Sequence, residues 1–206
     1  MRGKTFAPLA LAFGLAVAVV LTAAPAAAKV LLSVEEALAL VFPGCTIERG
    51  SVYLTAAEVE RARELAGTEP ASAVVHPYRA VRPDARSPLC GTAYLDSHRV
   101  RTLAETVMVA IDPAGAIVRV EVLSFDEPPD YLPRRQWYAQ FDGRALAAET
   151  ELGRAIRPVT GATLTARATT DAARRALALH RLLAERAGAV APAAPAAPAA
   201  PAEPKP

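Results

Sequence analysis

A hairpin-like pattern in the middle of the chain most constrains its fold. Two valine-rich segments, residues 105–111 and 117–125, flank a turn with Pro113 at its second position. In the second segment valines alternate with an arginine and a glutamate, and this period of two is typical of a strand. The pattern predicts an antiparallel sheet with one covered face and one polar face.

Two helices are predicted before this hairpin. Ser33 with Glu36, and Thr55 with Glu58, form capping boxes, in which a hydroxyl and a carboxylate each satisfy a backbone N–H at a helix start. The first helix is expected to stop at Pro43-Gly44 and the second at Gly67. Further strands are expected within residues 46–54, 73–81 and 90–96.

A final helix is expected from residue 166 to residue 187. Arg167, Arg174 and Arg181 recur every seven residues, so they are expected to form a solvated basic face. The facing apolar stripe consists of Ala172, Ala176, Leu179 and Leu183. The predicted fold class is therefore α+β: an antiparallel sheet with N-terminal helices and a C-terminal helix packed on it.

The ends of the chain are predicted to lie outside this domain. Residues 1–28 have the features of a cleavable signal peptide, with Arg2 and Lys4 before an apolar run and alanines at the cleavage position; an uncleaved signal anchor is the alternative. Residues 188–206 are a low-complexity Ala/Pro tail, expected to be disordered and extended. Residues 29–187 remain as one domain, exported to the periplasm or another extracytoplasmic compartment.

Charge and cysteine content exclude several functional classes. Removal of Arg2 and Lys4 leaves 21 basic residues, from 23, against 21 acidic ones, so charge does not indicate a nucleic-acid partner. Cys45 and Cys90 form no CxxC motif, which argues against c-type haem and thioredoxin-like chemistry. In an oxidising compartment they either pair or remain two buried thiols. The three histidines show no metal-ligand spacing.

The strongest chemical signal is the segment Thr160-Gly161-Ala162-Thr163-Leu164-Thr165, just before the final helix. A glycine allows close approach of a ligand to the backbone, and the helix start favours an anion such as phosphate. A threonine hydroxyl there can hydrogen-bond a phosphate or be esterified to one. The alternative is an ordinary helix-capping loop, because threonine is also a favoured cap.

This segment resembles the (S/T)-G-A-(T/S)-x-(S/T) flavinylation motif of the FMN-binding domain family, which includes flavin-carrying subunits of Rnf and sodium-pumping NADH:quinone reductase complexes and stand-alone exported flavoproteins. The likeness extends through residues 96–102, 105–125 and 137–141, and covers roughly residues 30–183. Arg157 stands upstream of the motif, where the transporter subunits often have an acidic residue.

The resemblance implies that Thr163 is joined to FMN by a phosphoester. Thr160 and Thr165 would then hydrogen-bond the phosphate, while Gly161 and Ala162 leave room for it and Leu164 fills the variable position. The isoalloxazine ring needs an apolar slot with a few polar groups at its rim. The candidates are Glu105, Thr106, His98, Thr102, Trp137 and Tyr138. Glu105 as a solvated strand end, His98 as a loop residue and Trp137 as a core anchor are the alternatives.

The implied function is an exported electron-transfer relay, not a stand-alone catalyst, with FMN as its covalent cofactor. A FAD:protein FMN transferase would be the modifying enzyme, and the redox donor and acceptor, including a membrane-associated one, are left open. The alternatives are a non-redox periplasmic binding or envelope module and a flavin-dependent reductase of a small substrate. We identify no residues that form a nucleophile–base pair for hydrolysis.

Overall fold

The computed structural model describes residues 30–85, 88–147 and 150–190. Its helices are α1 (Val34–Val41), α2 (Ala56–Ala66), α3 (Arg135–Tyr138) and α4 (Thr163–Val190). Its strands are β1 (Thr46–Arg49), β2 (Val52–Tyr53), β3 (Val74–Val75), β4 (Tyr78–Val81), β5 (Leu89–Arg99), β6 (Ala104–Ile111) and β7 (Ile117–Phe125). The predicted signal peptide and the tail from residue 191 onwards lie outside the described residues.

The main sheet is antiparallel, with the strand order β1-β4-β5-β6-β7, and β2 pairs with β3 in a separate two-stranded ribbon. Strands β6 and β7 form the predicted hairpin, in which Val109 is opposite Val120. Both predicted capping boxes are present, at Ser33 and Thr55. The α+β prediction is confirmed.

Both faces of the sheet are covered, so the prediction of one polar face is wrong. On one face Val107 and Val109 pack in a core with α2 and α4, and on the other Met108 and Ala110 pack with α1. The reason is visible in β6, where consecutive apolar residues supply both faces.

The regular alternation predicted for β7 is interrupted by irregular pairing. The register shifts between Ala110 and Ile111 and again between Thr106 and Val107. Such bulges change which face a side chain occupies. Val118 is therefore exposed while Val120 is buried.

The α1 side of the sheet is held by close packing and by a disulfide. Gly91 lies against the ring of Phe42, and a Cβ at Gly91 would lie 2.6 Å from that ring and from the carbonyl oxygen of Ile111. Cys45 and Cys90 form a disulfide, which settles the alternatives left open by their sequence. This bond ties the segment after α1 to β5.

Helix α4 is longer at both ends than the predicted helix, and its arginines do not form one solvated face. Arg174 is buried and donates to the carbonyl oxygens of Ala66, Ala147 and Thr150, at 2.7, 2.9 and 3.2 Å. Its guanidinium binds the end of α2 and a neighbouring loop, so the predicted basic stripe is wrong at its centre. Among the described residues, no helix is both long and apolar enough to span a bilayer.

Candidate functional site

The start of α4 places the motif differently from the prediction. The helix begins at Thr163, so the second half of the motif forms its first turn. The first intrahelical hydrogen bond runs from the N–H of Ala166 to the carbonyl oxygen of Ala162, at 2.9 Å. Within the described part of the chain, no acceptor meets the N–H groups of Thr163, Leu164 and Thr165. These donors, with the helix dipole, favour an anion at this end.

Gly161 shapes the loop that leads into this turn. Its φ is +86°, in the region that residues with a Cβ rarely adopt. A Cβ built on it meets no described atom within 4 Å, so the glycine is required by the backbone conformation and not by crowding. The space beside the motif is open.

The three hydroxyls of the motif lie in different environments. Thr160 and Thr163 are exposed, and the Thr163 hydroxyl donates to the carbonyl oxygen of Val159 at 3.1 Å. Thr165 is only 1 % exposed and donates to the carbonyl oxygen of Tyr131 at 2.7 Å. Its hydroxyl holds the loop before α3 and does not point out with Thr163. Ala162 is buried, whereas Leu164 is 49 % exposed.

Trp137 holds the segment that leads into the motif. Its indole N–H donates to the carbonyl oxygen of Arg157 at 2.7 Å, and the N–H of Arg157 donates to the side-chain oxygen of Gln140 at 2.9 Å. The indole packs edge-on against Tyr138 and Phe141. These contacts agree with the core-anchor alternative, and they make Trp137 a positioning residue for the motif.

A cleft of about 790 Å³ opens beside the loop that precedes α3. This volume lies in the usual range for a small-molecule site, on the order of 300–1,000 Å³. Its apolar lining includes Val120, Val122, Leu132, Pro133 and the ring of Tyr138. Its charged lining consists of Arg119, Arg134, Arg135, Glu121 and Asp142. Two hydrogen bonds join the segment around this cleft to the motif region. One runs from the Thr165 hydroxyl to the carbonyl oxygen of Tyr131, and the other from the Trp137 indole to the carbonyl oxygen of Arg157.

His98 and Glu105 belong to a buried charged cluster and do not line this cleft. His98 donates from Nδ1 to Asp96 and from Nε2 to Glu105, both at 2.9 Å. Arg175 binds Asp96 through two hydrogen bonds of 2.7 Å. The Thr169 hydroxyl donates to Glu105 at 3.3 Å. Strands β5 and β6 and helix α4 each contribute to the cluster.

The cluster changes the acidity of its members. Burial alone would raise the pKa of Asp96, but the hydrogen bonds and charges of Arg175 and His98 outweigh it and lower the pKa to about 2. Burial likewise opposes the charge on His98, yet the two carboxylates raise its pKa to about 9. His98 is therefore an imidazolium at neutral pH, held between two acids.

Thr106 and Thr102, which were predicted to contact the flavin ring, form hydrogen bonds away from the cleft. The Thr106 hydroxyl lies 2.9 Å from that of Ser97, on the face of the sheet opposite Glu105. The Thr102 N–H donates to Glu127 at 2.8 Å, as part of the turn between β5 and β6. The hydrogen bonds from Leu103, Thr102 and Arg101 lower the pKa of Glu127.

Sequence reasoning missed the other members of the cluster. Asp96 and His98 are two residues apart on one strand, so their shared face could have been recognised. No local signal joins Arg175 to Asp96, which is 79 residues away along the chain.

The comparison with known families matched part of the chain. Residues 104–178 match the family model described as FMN-binding domain. The matched segment begins with β6 and ends within α4, so it contains Glu105, Trp137 and the whole motif. No curated protein and no solved structure matches the chain.

The geometry fits the cofactor that this match implies. FMN has an anionic phosphate and a flat, largely apolar ring with polar edges. The free N–H groups at Thr163–Thr165 and the open space at Gly161 suit the phosphate. The cleft suits the ring, and the Tyr138 hydroxyl beside it is buried without a hydrogen-bond partner among the described residues.

Proposed function

We propose that this FMN-binding domain is an exported electron-transfer relay that carries FMN as an ester on Thr163. The observation that carries the proposal is the exposed Thr163 hydroxyl on the first turn of α4, next to free backbone donors. A phosphate bonded to this oxygen would lie in the positive end of the helix dipole. Thr165 has a buried partner, so Thr163 and Thr160 are the motif hydroxyls accessible to a modifying enzyme.

Other groups near Thr163 support a bound phosphate. Arg167 is exposed and lies four residues further along α4, on the same side of the helix as Thr163. Its guanidinium can therefore reach toward the phosphate and offset its charge. Thr160 is exposed in the preceding turn, so its hydroxyl remains available as a donor.

The attachment needs an external enzyme, because a threonine hydroxyl is a weak nucleophile when no base activates it. In the described structure its proton is donated to the carbonyl oxygen of Val159, and this carbonyl is not a general base. We infer that a FAD:protein FMN transferase supplies the FMN. The bond from Thr163 Oγ1 to phosphorus forms, the pyrophosphate bond of FAD breaks, AMP leaves and the hydroxyl proton is removed by the transferase.

The ring is assigned to the cleft beside Tyr138. The apolar side chains there can cover the ring, while the arginines and Gln136 offer donors at its edges. FMN, when bound, supplies reversible one- and two-electron transfer. The chain's own residues at the start of α4 would hold the phosphate, and Trp137 and Thr165 fix the neighbouring loop.

Export and partners complete the proposal. The signal-like residues 1–28 support function outside the cytoplasm. A covalently held cofactor cannot be lost there by dissociation, which suits a relay between a redox donor and a redox acceptor. A membrane-associated partner is consistent with this arrangement.

The test is co-expression with a FAD:protein FMN transferase, followed by a denaturing gel viewed under ultraviolet light. Wild-type protein should give a fluorescent band, Thr163→Ala should give none, and Thr163→Ser should keep it because serine retains the hydroxyl. Thr165→Ala is the matched control within the motif and should also keep the band. A dark wild-type band, or a fluorescent Thr163→Ala band, would refute the covalent assignment.

A further inference from the structure

The charged cluster has one unfilled hydrogen-bonding position. Glu105 is fully buried, and both donors that reach it, His98 Nε2 and the Thr169 hydroxyl, bind the same oxygen, Oε2. Its other oxygen, Oε1, has no partner among the described residues. A buried carboxylate oxygen without a donor is costly, so this position is expected to be filled in some state of the protein.

The other charged groups of the cluster already have hydrogen-bond partners. Both ring nitrogens of His98 point at carboxylates, so both carry hydrogen. Asp96 receives two hydrogen bonds from Arg175 in addition to that from His98. A further proton can therefore be accommodated on Glu105 Oε1 without breaking any of these bonds.

The unfilled position is linked to the cleft by Tyr138. The Tyr138 hydroxyl is also buried and without a partner among the described residues, on a side chain that is 7 % exposed. Burial raises the pKa of Tyr138, and the nearby charge of Glu105 raises it further. Tyr138 also lines the cleft assigned to the flavin, so it lies close both to Glu105 and to that cleft.

We propose that Glu105 is a redox-linked proton acceptor, which takes up a proton on Oε1 when the flavin is reduced and releases it on reoxidation. This inference rests on the proposed function. Per two electrons from an electrode, one proton accompanies the flavin to its anionic reduced form and a second binds Glu105, so the added negative charge is compensated. Both protons come from water and return to it on reoxidation.

The other titratable groups around Glu105 are poorer acceptors. Asp96 is bound to Arg175, and His98 is already charged. The Tyr138 hydroxyl already carries its proton, so it is not a proton acceptor. Asp171 on α4 is half-buried and interacts with His98 and Arg175, and burial raises its pKa. It is the main rival, and it therefore provides the matched control.

The experiment counts protons taken up per two electrons in FMN-loaded protein. The full chain is reduced at an electrode in weakly buffered solution near pH 7, with an indicator dye reporting the proton change. Wild type and Asp171→Asn should each take up more protons per two electrons than Glu105→Gln, by as much as one proton. Equal uptake in wild type and Glu105→Gln, or a loss confined to Asp171→Asn, would overturn the assignment.

A second measurement needs no change at Glu105, so it applies even if Glu105→Gln does not fold. It is made on wild type and on Glu121→Gln, because Glu121 is the glutamate that lines the cleft. Infrared difference spectra of wild-type protein should show a protonated-carboxyl band on reduction, and this band should shift when glutamate is labelled with ¹³C. The absence of a glutamate band, or its loss in Glu121→Gln, contradicts the proton role of Glu105. FMN loading is measured first on the same sample, and wild type that carries no FMN refutes the proposed function, and with it this inference.

Discussion

The raised pKa of His98 predicts that the protein loses stability as the solution becomes alkaline. In the folded chain the pKa is about 9, whereas an unperturbed histidine has 6.5. The folded state thus holds the proton more tightly, and the stabilisation is fully present below about pH 6.5. It falls as pH rises from 6.5 and is lost above about 9.

The magnitude follows from the size of the shift. The two pKa values differ by about 2.5 units, which corresponds to about 3 kcal/mol of unfolding free energy. For a domain of this size, 1 kcal/mol changes the melting temperature by about 2–4 °C. The melting temperature should therefore fall by roughly 6–12 °C between about pH 6 and pH 9.5 through this one group.

The assay compares thermal unfolding of wild type and His98→Gln across this range, with the disulfide intact. Glutamine cannot carry the charge, so the variant should be less stable at pH 6 and should show a much flatter dependence on pH. An NMR titration of the His98 ring gives the pKa directly. If both proteins show the same alkaline slope, or if His98 titrates near 6.5, then the buried-imidazolium account is refuted.

Three substitutions test the contacts that support the motif and helix α4. Gly161→Ala should destabilise the protein by about 1 kcal/mol or more and reduce FMN loading, because alanine resists the φ of +86°; denaturant unfolding and gel fluorescence measure both. Trp137→Phe removes the indole N–H that donates to the carbonyl oxygen of Arg157, and it should cost about 1 kcal/mol in urea unfolding. Unchanged stability would refute the anchor role. Arg174→Lys loses the planar guanidinium that binds three carbonyl oxygens, and it should lower the free energy of unfolding by about 3 kcal/mol. Arg181 is exposed, so the control Arg181→Lys should change that free energy by less than about 0.5 kcal/mol.

The parts of the fold that depend on local pattern could be predicted from the sequence. The two capping boxes located α1 and α2, and the valine pattern with its proline turn located the β6–β7 hairpin. The start of α4 was missed because its capping position is held by Ala162, which has no side-chain acceptor. That error left Thr163, the proposed attachment residue, in a loop, whereas the structure places it on the first helical turn.

The charged cluster could be predicted only in part, because its meaning depends on tertiary contacts. His98 and Glu105 were identified as candidates by their position near the hairpin. Their burial follows from α4 packing over β5 and β6 and bringing in Thr169 and Arg175 from distant positions in the sequence. The prediction of a solvated basic face on α4 was wrong at Arg174 for the same reason, because the end of α2 covers that position.

Peptide-level mass spectrometry of the co-expressed wild-type protein tests the central claim most directly. The account predicts a mass increase equal to FMN less one water on the proteolytic peptide that contains the motif, with fragment ions assigning it to Thr163. Thr163→Ala should remove this mass entirely. FMN found on Thr160 or Thr165, or a wild-type peptide without added mass, would contradict the account.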